Sequence, residues 1–176
     1  ILKQSFKMTD SNTFLYFAYG SNLLTKRIHY MNPSAVYKTN ALLQDYKLTF
    51  DFESKRWRGA VATIQKEKGS CVWGIIWELN TEHLQSLDDQ EGVNLQIYKP
   101  IIVEVETEDG RKIQCRTYQL LKLGSGDLRP SAVYKNVIIS GAKENKLPKE
   151  YISKLEAIED NGYCGDVDLN MELISQ

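Results

Sequence analysis

Apolar positions follow strand spacing over most of this chain and helical spacing in its last third. Residues 14–19, Phe-Leu-Tyr-Phe-Ala-Tyr, form an unbroken apolar and aromatic run, the pattern of a strand buried on both faces. The run breaks on Gly20-Ser21-Asn22, and residues 23–31 then carry helical spacing that Asn32-Pro33 stops. Ser21 or Asn22 is the expected N-cap of that helix. Strand-like segments follow at 41–52, 59–65, 72–79, 97–107 and 112–121, several with alternation such as Val103-Glu104-Val105-Glu106. Asp109-Gly110 between the last two predicts a tight hairpin. A short helix over 81–90, capped by Asn80 or Thr81 and closed by Gly92, interrupts the strands. Beyond the Gly124-Ser125-Gly126 connector the spacing turns helical over 132–145 and 148–158, with Pro148 near the first turn of the second.

Many strands followed by helices predict an α+β protein: a small mixed, mostly antiparallel barrel or sheet with helices packed around it. No internal repeat or low-complexity tract divides the 176 residues, so one domain over 14–165 is expected. Residues 1–13 are expected to be a disordered leader and 166–176 a tail. Residues 1–7 read as cloning-derived or upstream sequence, with the native start at Met8.

Composition narrows the function by exclusion. A formal net charge of −1 gives no electrostatic footprint for nucleic acid. The longest apolar run, residues 72–77, is broken by Gly74 and is too short to cross a bilayer. Cys71, Cys115 and Cys164 are odd in number and far apart, which fits a reduced, cytoplasmic setting better than a disulfide framework. His29 and His83 lack metal-ligand spacing, and neither a phosphate loop nor a dinucleotide fingerprint is present. No metal, no cofactor, no nucleic acid and no membrane partner is therefore expected.

Two segments carry candidate chemistry. A strand that ends on Gly20-Ser21-Asn22 and feeds a helix leaves several backbone N–H groups pointing one way, suited to an anion or a developing oxyanion. The bland alternative is a strand-to-helix turn using Gly for freedom and Ser or Asn for capping. Asp88, Asp89 and Glu91 crowd the end of the second predicted helix, where the dipole is negative and basic residues are preferred. Like charges and that dipole end both raise a carboxylate's pKa, which suits a general base; a solvated helix end is the alternative.

Ordered blocks along the chain resemble the γ-glutamylcyclotransferase family. They are residues 14–24, Asn32-Pro33-Ser34-Ala35, Leu43-Gln44-Asp45-Tyr46-Lys47-Leu48, Ala62-Thr63-Ile64, Val72-Trp73-Gly74, Ser86-Leu87-Asp88 with Gln90-Glu91-Gly92-Val93, and Gly141-Ala142-Lys143-Glu144-Asn145. The resemblance implies a small mixed barrel, a homodimer, and conversion of a γ-glutamyl-L-amino acid to 5-oxo-L-proline and a free amino acid. It implies Glu91 as the acid/base residue and Tyr19, Gly20, Ser21, Asn22 and Leu23 as the loop that holds the γ-glutamyl group. Tyr98, Tyr118 and Tyr134 match tyrosines lining the same cavity, with core packing as their alternative role. Asn22, where the glutathione-degrading branch tends to carry leucine, favours γ-glutamyl amino acids. A glutathione- or γ-glutamylamine-specific enzyme and a non-catalytic binding module of the same fold are the alternatives. The basic Lys55 and Arg56 depart from the family pattern.

Such chemistry needs little apparatus. The substrate's own α-amine attacks its γ-carbonyl after losing a proton. A model α-ammonium near pKa ~8 and a free Glu near ~4.3 are mismatched by ~3.5 units, and burial closes that gap from both sides. Ring closure is intramolecular, with effective molarities of ~10⁵ M or more for well-placed atoms.

Overall fold

The computed structural model describes residues 12–167. The leader and tail expected at 1–13 and 166–176 lie outside that range except at their inner edges, where Thr13 already opens the first strand. Five strands close into a barrel: β1 (Thr13–Ala18), β2 (Val36–Ser54), β3 (Gly59–Asn80), β4 (Tyr98–Thr107) and β5 (Lys112–Leu120). Their order around the barrel is β1-β3-β2-β4-β5. The pairs are antiparallel except the closing one, where β1 meets β5 in parallel at Tyr16 and Arg116. Four helices pack around it: α1 (Thr25–Met31), α2 (Leu84–Gln90), α3 (Ala132–Glu144) and α4 (Lys149–Glu156). No helix among the described residues is long and apolar enough to cross a membrane.

The strands expected at 59–65 and 72–79 are one continuous strand, β3. Its polar middle is a bulge, not a turn: the register steps from Gln44↔Cys71 to Tyr46↔Lys66, so extra β3 residues stand opposite Asp45. Asp45 and Gly69 take positive φ there (58° and 85°), and the Gly69 N–H donates to Asp45 Oδ1 at 2.9 Å. β2 likewise starts at Val36, earlier than expected, because the polar stretch 37–40 pairs with β3.

The first helix also differs from expectation. Ser21–Leu23 form a separate 3₁₀ turn, and neither Ser21 nor Asn22 caps α1. Glu144, at the end of α3, takes that role by accepting from Thr25 N at 3.0 Å and Thr25 Oγ1 at 2.9 Å. Asn145 Nδ2 donates to Leu23 O at 2.9 Å. Gly141 brings α3 against this backbone; a Cβ at that position would lie 2.4 Å from the Leu23 carbonyl carbon. The C-terminal end of α3 thus clamps the loop between β1 and α1. Beneath it, Phe17, Ala18, Leu23, Ile28, Ile75, Leu87 and Ala142 are fully buried in a shared core, each large side chain worth about 1.5–3 kcal/mol of transfer free energy.

Candidate active site

The end of β1, the 3₁₀ turn and the end of α2 converge on one pocket. It is lined by Tyr16, Tyr19, Gly20, Ser21, Asn22, Ala62, Glu91, Tyr98, Tyr118 and Tyr134. Eight of the nine residues singled out in the sequence therefore share a wall, drawn from the segment after β1, the 3₁₀ turn, the residue that ends α2, and β4, β5 and α3. Leu23 does not: its side chain is fully buried and packs towards Gly141 of α3, while its N–H closes the turn on Gly20 O at 3.0 Å. Tyr16 and Ala62 were not foreseen.

Glu91 sits one residue past α2, with its N–H still bonded to Leu87 O at 3.0 Å. Gly92 follows at φ 67°, turning the chain away and leaving the carboxyl in the pocket. Asn22 Nδ2 donates to Glu91 Oε1 at 3.3 Å and to the Tyr16 hydroxyl at 3.2 Å. Burial pushes the Glu91 carboxyl up from 4.5 to about 7; Arg27 pulls it down and Asp88 pushes it further up. Desolvation therefore outweighs the acidic neighbours in perturbing this group. Although the residue as a whole keeps some exposed surface, its carboxyl group faces inward.

The acidic cluster does not act as one unit. Asp88 points inward and accepts from Arg116 Nη2 at 2.7 and 2.8 Å and from the Tyr118 hydroxyl. Asp89 is exposed and accepts from Gln85 and Asn94 at 2.8 Å.

The pocket tyrosines are pegged rather than loose. Tyr98 donates to Ala62 O at 2.5 Å, and Tyr134 accepts from Ala62 N at 3.0 Å. Tyr19 donates to Tyr118 O at 2.5 Å. Burial holds all five phenols above their ordinary 10, so they line the pocket as neutral groups. The N–H groups of Ser21 and Asn22 open the 3₁₀ turn and bond no backbone carbonyl among the described residues, which leaves donors beside the pocket.

Both histidines are engaged elsewhere: His29 Nε2 with Ala35 O at 2.7 Å and His83 Nδ1 with Ser34 Oγ at 2.5 Å. Lys55 and Arg56 are exposed on the β2–β3 turn, outside the pocket wall, while Trp57 beside them is buried with its ring 4.7 Å from that of Tyr134. Behind the pocket lies a residue that sequence reading passed over. Arg27 of α1 is only 8 % exposed, with its guanidinium 5.9 Å from the Trp57 ring centre. A signal was available, since positions 24, 27 and 28 share the helix face that meets the core.

A model described as the AIG2-like family matches residues 71–155. The chain is 49% identical to a bovine (Bos taurus) gamma-glutamylcyclotransferase over 96% of its length and 91% of that protein's. It is 50% identical to the mouse (Mus musculus) gamma-glutamylcyclotransferase over 93% of its length and 88% of that protein's. A solved structure titled gamma-glutamyl cyclotransferase superposes with a TM-score of 0.87 at 48% identity, covering 92% of this chain and 97% of that one. Identity at that level over nearly the whole length of both partners, on the same barrel, shows that this chain belongs to the γ-glutamylcyclotransferase family.

Proposed function

We propose that this enzyme cyclises γ-glutamyl-L-amino acids to 5-oxo-L-proline and releases the free amino acid, with Glu91 as its acid/base residue. The observation that carries the reading is the raised carboxyl of Glu91 in a tyrosine-walled pocket, beside the Ser21 and Asn22 N–H groups, which bond no backbone carbonyl among the described residues. The ionised carboxylate takes a proton from the substrate's α-ammonium. The freed amine attacks the γ-carbonyl, its new C–N bond closes the five-membered ring, and negative charge gathers on the carbonyl oxygen. Donors from Ser21 and Asn22 stabilise that oxyanion. As the old amide C–N bond breaks, protonated Glu91 gives its proton to the leaving nitrogen; the restored carboxylate then takes the second proton from the ring nitrogen and passes it to the departing amine, which leaves as an ammonium. A base near 7 facing an ammonium near ~8 makes both transfers close to balanced.

Tyr19 and Gly20 complete the cradle for the γ-glutamyl group, and Tyr98, Tyr118 and Tyr134 form the walls that fold it and exclude water. Leu23 supports this loop from behind, through its packing on α3. Asn22 favours γ-glutamyl amino acids over glutathione as substrate. The resemblance extends the reading to a homodimer in the cytoplasm; light scattering on the purified protein tests the assembly. The test of function is incubation with γ-glutamyl-L-alanine and, separately, glutathione, with 5-oxoproline quantified by mass spectrometry. Release from the dipeptide at least ~10-fold faster than from glutathione is expected. Faster release from glutathione would move the protein to the other branch, and no release from either would leave a binding module.

A further inference from the structure

Arg27 is a buried cation held close to the candidate base without touching it. Among the described residues no carboxylate forms an ion pair with it. Its Nε is buried without a hydrogen-bond partner among the described residues. Its two terminal nitrogens lie 3.2 Å from the Gln90 side-chain amide. That amide lies 3.0 Å from the amide of Asn22, and Asn22 lies 3.3 Å from Glu91. A buried guanidinium is costly unless its charge is used, and here a chain of two amides leads from it to the pocket carboxyl.

We propose that Arg27 is a positioning residue for Glu91, acting through Gln90 and Asn22 and making no contact with the substrate. The inference rests on Glu91 as the base. The spacing is what gives the arrangement its use. A direct Arg–Glu pair would hold the carboxylate ionised at low pKa, too weak a base for an ammonium near ~8. Burial with no cation nearby would keep it protonated through neutral pH. A cation two amides away attracts without pairing, and Arg27 is the cation that pulls Glu91 down against its burial.

The other groups facing Glu91 do not supply this attraction. Asp88 of α2 is a like charge that Arg116 of β5 engages. The phenols of Tyr16 and Tyr19, Tyr98, and Tyr134, from the β1 end, β4 and α3, are neutral. Arg56 on the β2–β3 turn is exposed and acts on Arg27.

The test reads the Glu91 carboxyl directly, by ¹³C NMR titration of glutamate-labelled protein, with Glu91→Gln used for assignment. This readout does not depend on turnover, so it stays informative if the proposed reaction fails. Arg27→Gln is expected to raise the Glu91 midpoint by at least ~0.5 unit, and Arg27→Lys to keep it within ~0.3 unit of the wild type. Gln90→Met removes the spacer amide and frees the guanidinium to approach Glu91, so the midpoint is expected to fall. With γ-glutamyl-L-alanine, Arg27→Gln should lower kcat near neutral pH and leave KM within ~2-fold. An unmoved midpoint in folded Arg27→Gln, an unmoved or raised one in Gln90→Met, or a rise in KM alone would overturn the proposal. The last result would place Arg27 on the substrate itself.

Discussion

Asn22 Nδ2 and Glu91 Oε1 meet at 3.3 Å across 69 residues of sequence, joining the turn after β1 to the end of α2. Asn22 is in turn fixed from its other side, because Trp77 Nε1 of β3 donates to its carbonyl oxygen at 3.0 Å. Hydrogen bonds therefore tie the turn to the Glu91 carboxyl and to β3. In the proposed reaction this tie would set the distance from a substrate carbonyl in the turn to the proton acceptor, which is the condition for intramolecular attack to be fast.

Replacing that acceptor isolates its chemical role. Glu91→Gln keeps shape and the hydrogen bond to Asn22 but cannot accept a proton. Turnover of γ-glutamyl-L-alanine is expected to fall by at least ~10², with 5-oxoproline affinity, measured by calorimetry, within ~3-fold of wild type. Near-normal turnover in folded Glu91→Gln would show that another group is the base.

The raised carboxyl also links activity and stability to pH. kcat/KM should climb from the acid side with a midpoint near 7, where Glu91 ionises in the free enzyme. For stability the sign is the reverse. The folded pKa lies above the unfolded one, so this group's contribution is fully present below about 4.5 and is lost as pH rises through about 7. Glu91→Gln should therefore stabilise the fold at pH 8 by on the order of 2 kcal/mol and change it little at pH 4, by urea unfolding at both values. Equal effects at the two pH values would argue against a buried, raised carboxyl.

Two glycines separate ligand approach from packing. At Gly20 an added Cβ would lie 3.5 Å from the Tyr134 hydroxyl and 3.6 Å from Ala62 Cβ, ordinary contact distances. Gly20 has φ −112°, so no left-handed backbone is at stake. Gly20→Ala should cost under ~1 kcal/mol of stability while its methyl, standing in the pocket, weakens 5-oxoproline binding by ~10-fold or more. Gly141→Ala meets backbone at 2.4 Å and should destabilise by ~2 kcal/mol or more, with the loop displaced. Calorimetry and thermal melts on the two variants check the contrast; equal losses of stability would make Gly20 a plain structural turn.

What could be read from the sequence was local, and what could not was set by pairing across the barrel. Residues 14–23 announce a buried strand and an anion-ready turn because aromatic packing and Gly-Ser-Asn chemistry are short-range. The position of Glu91 at a helix end was legible from the Gly92 stop. Tyr16 was not, because an unbroken aromatic run has no alternation to say which side chain faces a cavity. The bulge at Asp45 read as a break between two strands, since Lys66-Glu67-Lys68-Gly69-Ser70 is a turn by composition and a strand only by its partner. The cap of α1 came from Glu144, well over a hundred residues away, and no local pattern could name it.

Asp88 is expected to show that one acidic neighbour tunes the site without doing its chemistry. It accepts both Arg116 contacts and the Tyr118 hydroxyl, so Asp88→Asn leaves a largely buried guanidinium short of its counter-charge. That should cost about 2 kcal/mol in urea unfolding, below the full penalty of a buried ion because the pair retains some exposure. Removing a like charge beside Glu91 should at the same time move the acid limb of kcat/KM to lower pH, since Asp88 is one of the groups that push this carboxyl up. Above pH 8, where Glu91 is ionised in both proteins, turnover should stay within ~10-fold of wild type. The direction of the limb decides the matter: Asp88→Asn should lower it and Arg27→Gln should raise it. Movement of both in one direction would mean that these substitutions disturb the pocket as a whole, and that the charges around Glu91 do not set its proton affinity.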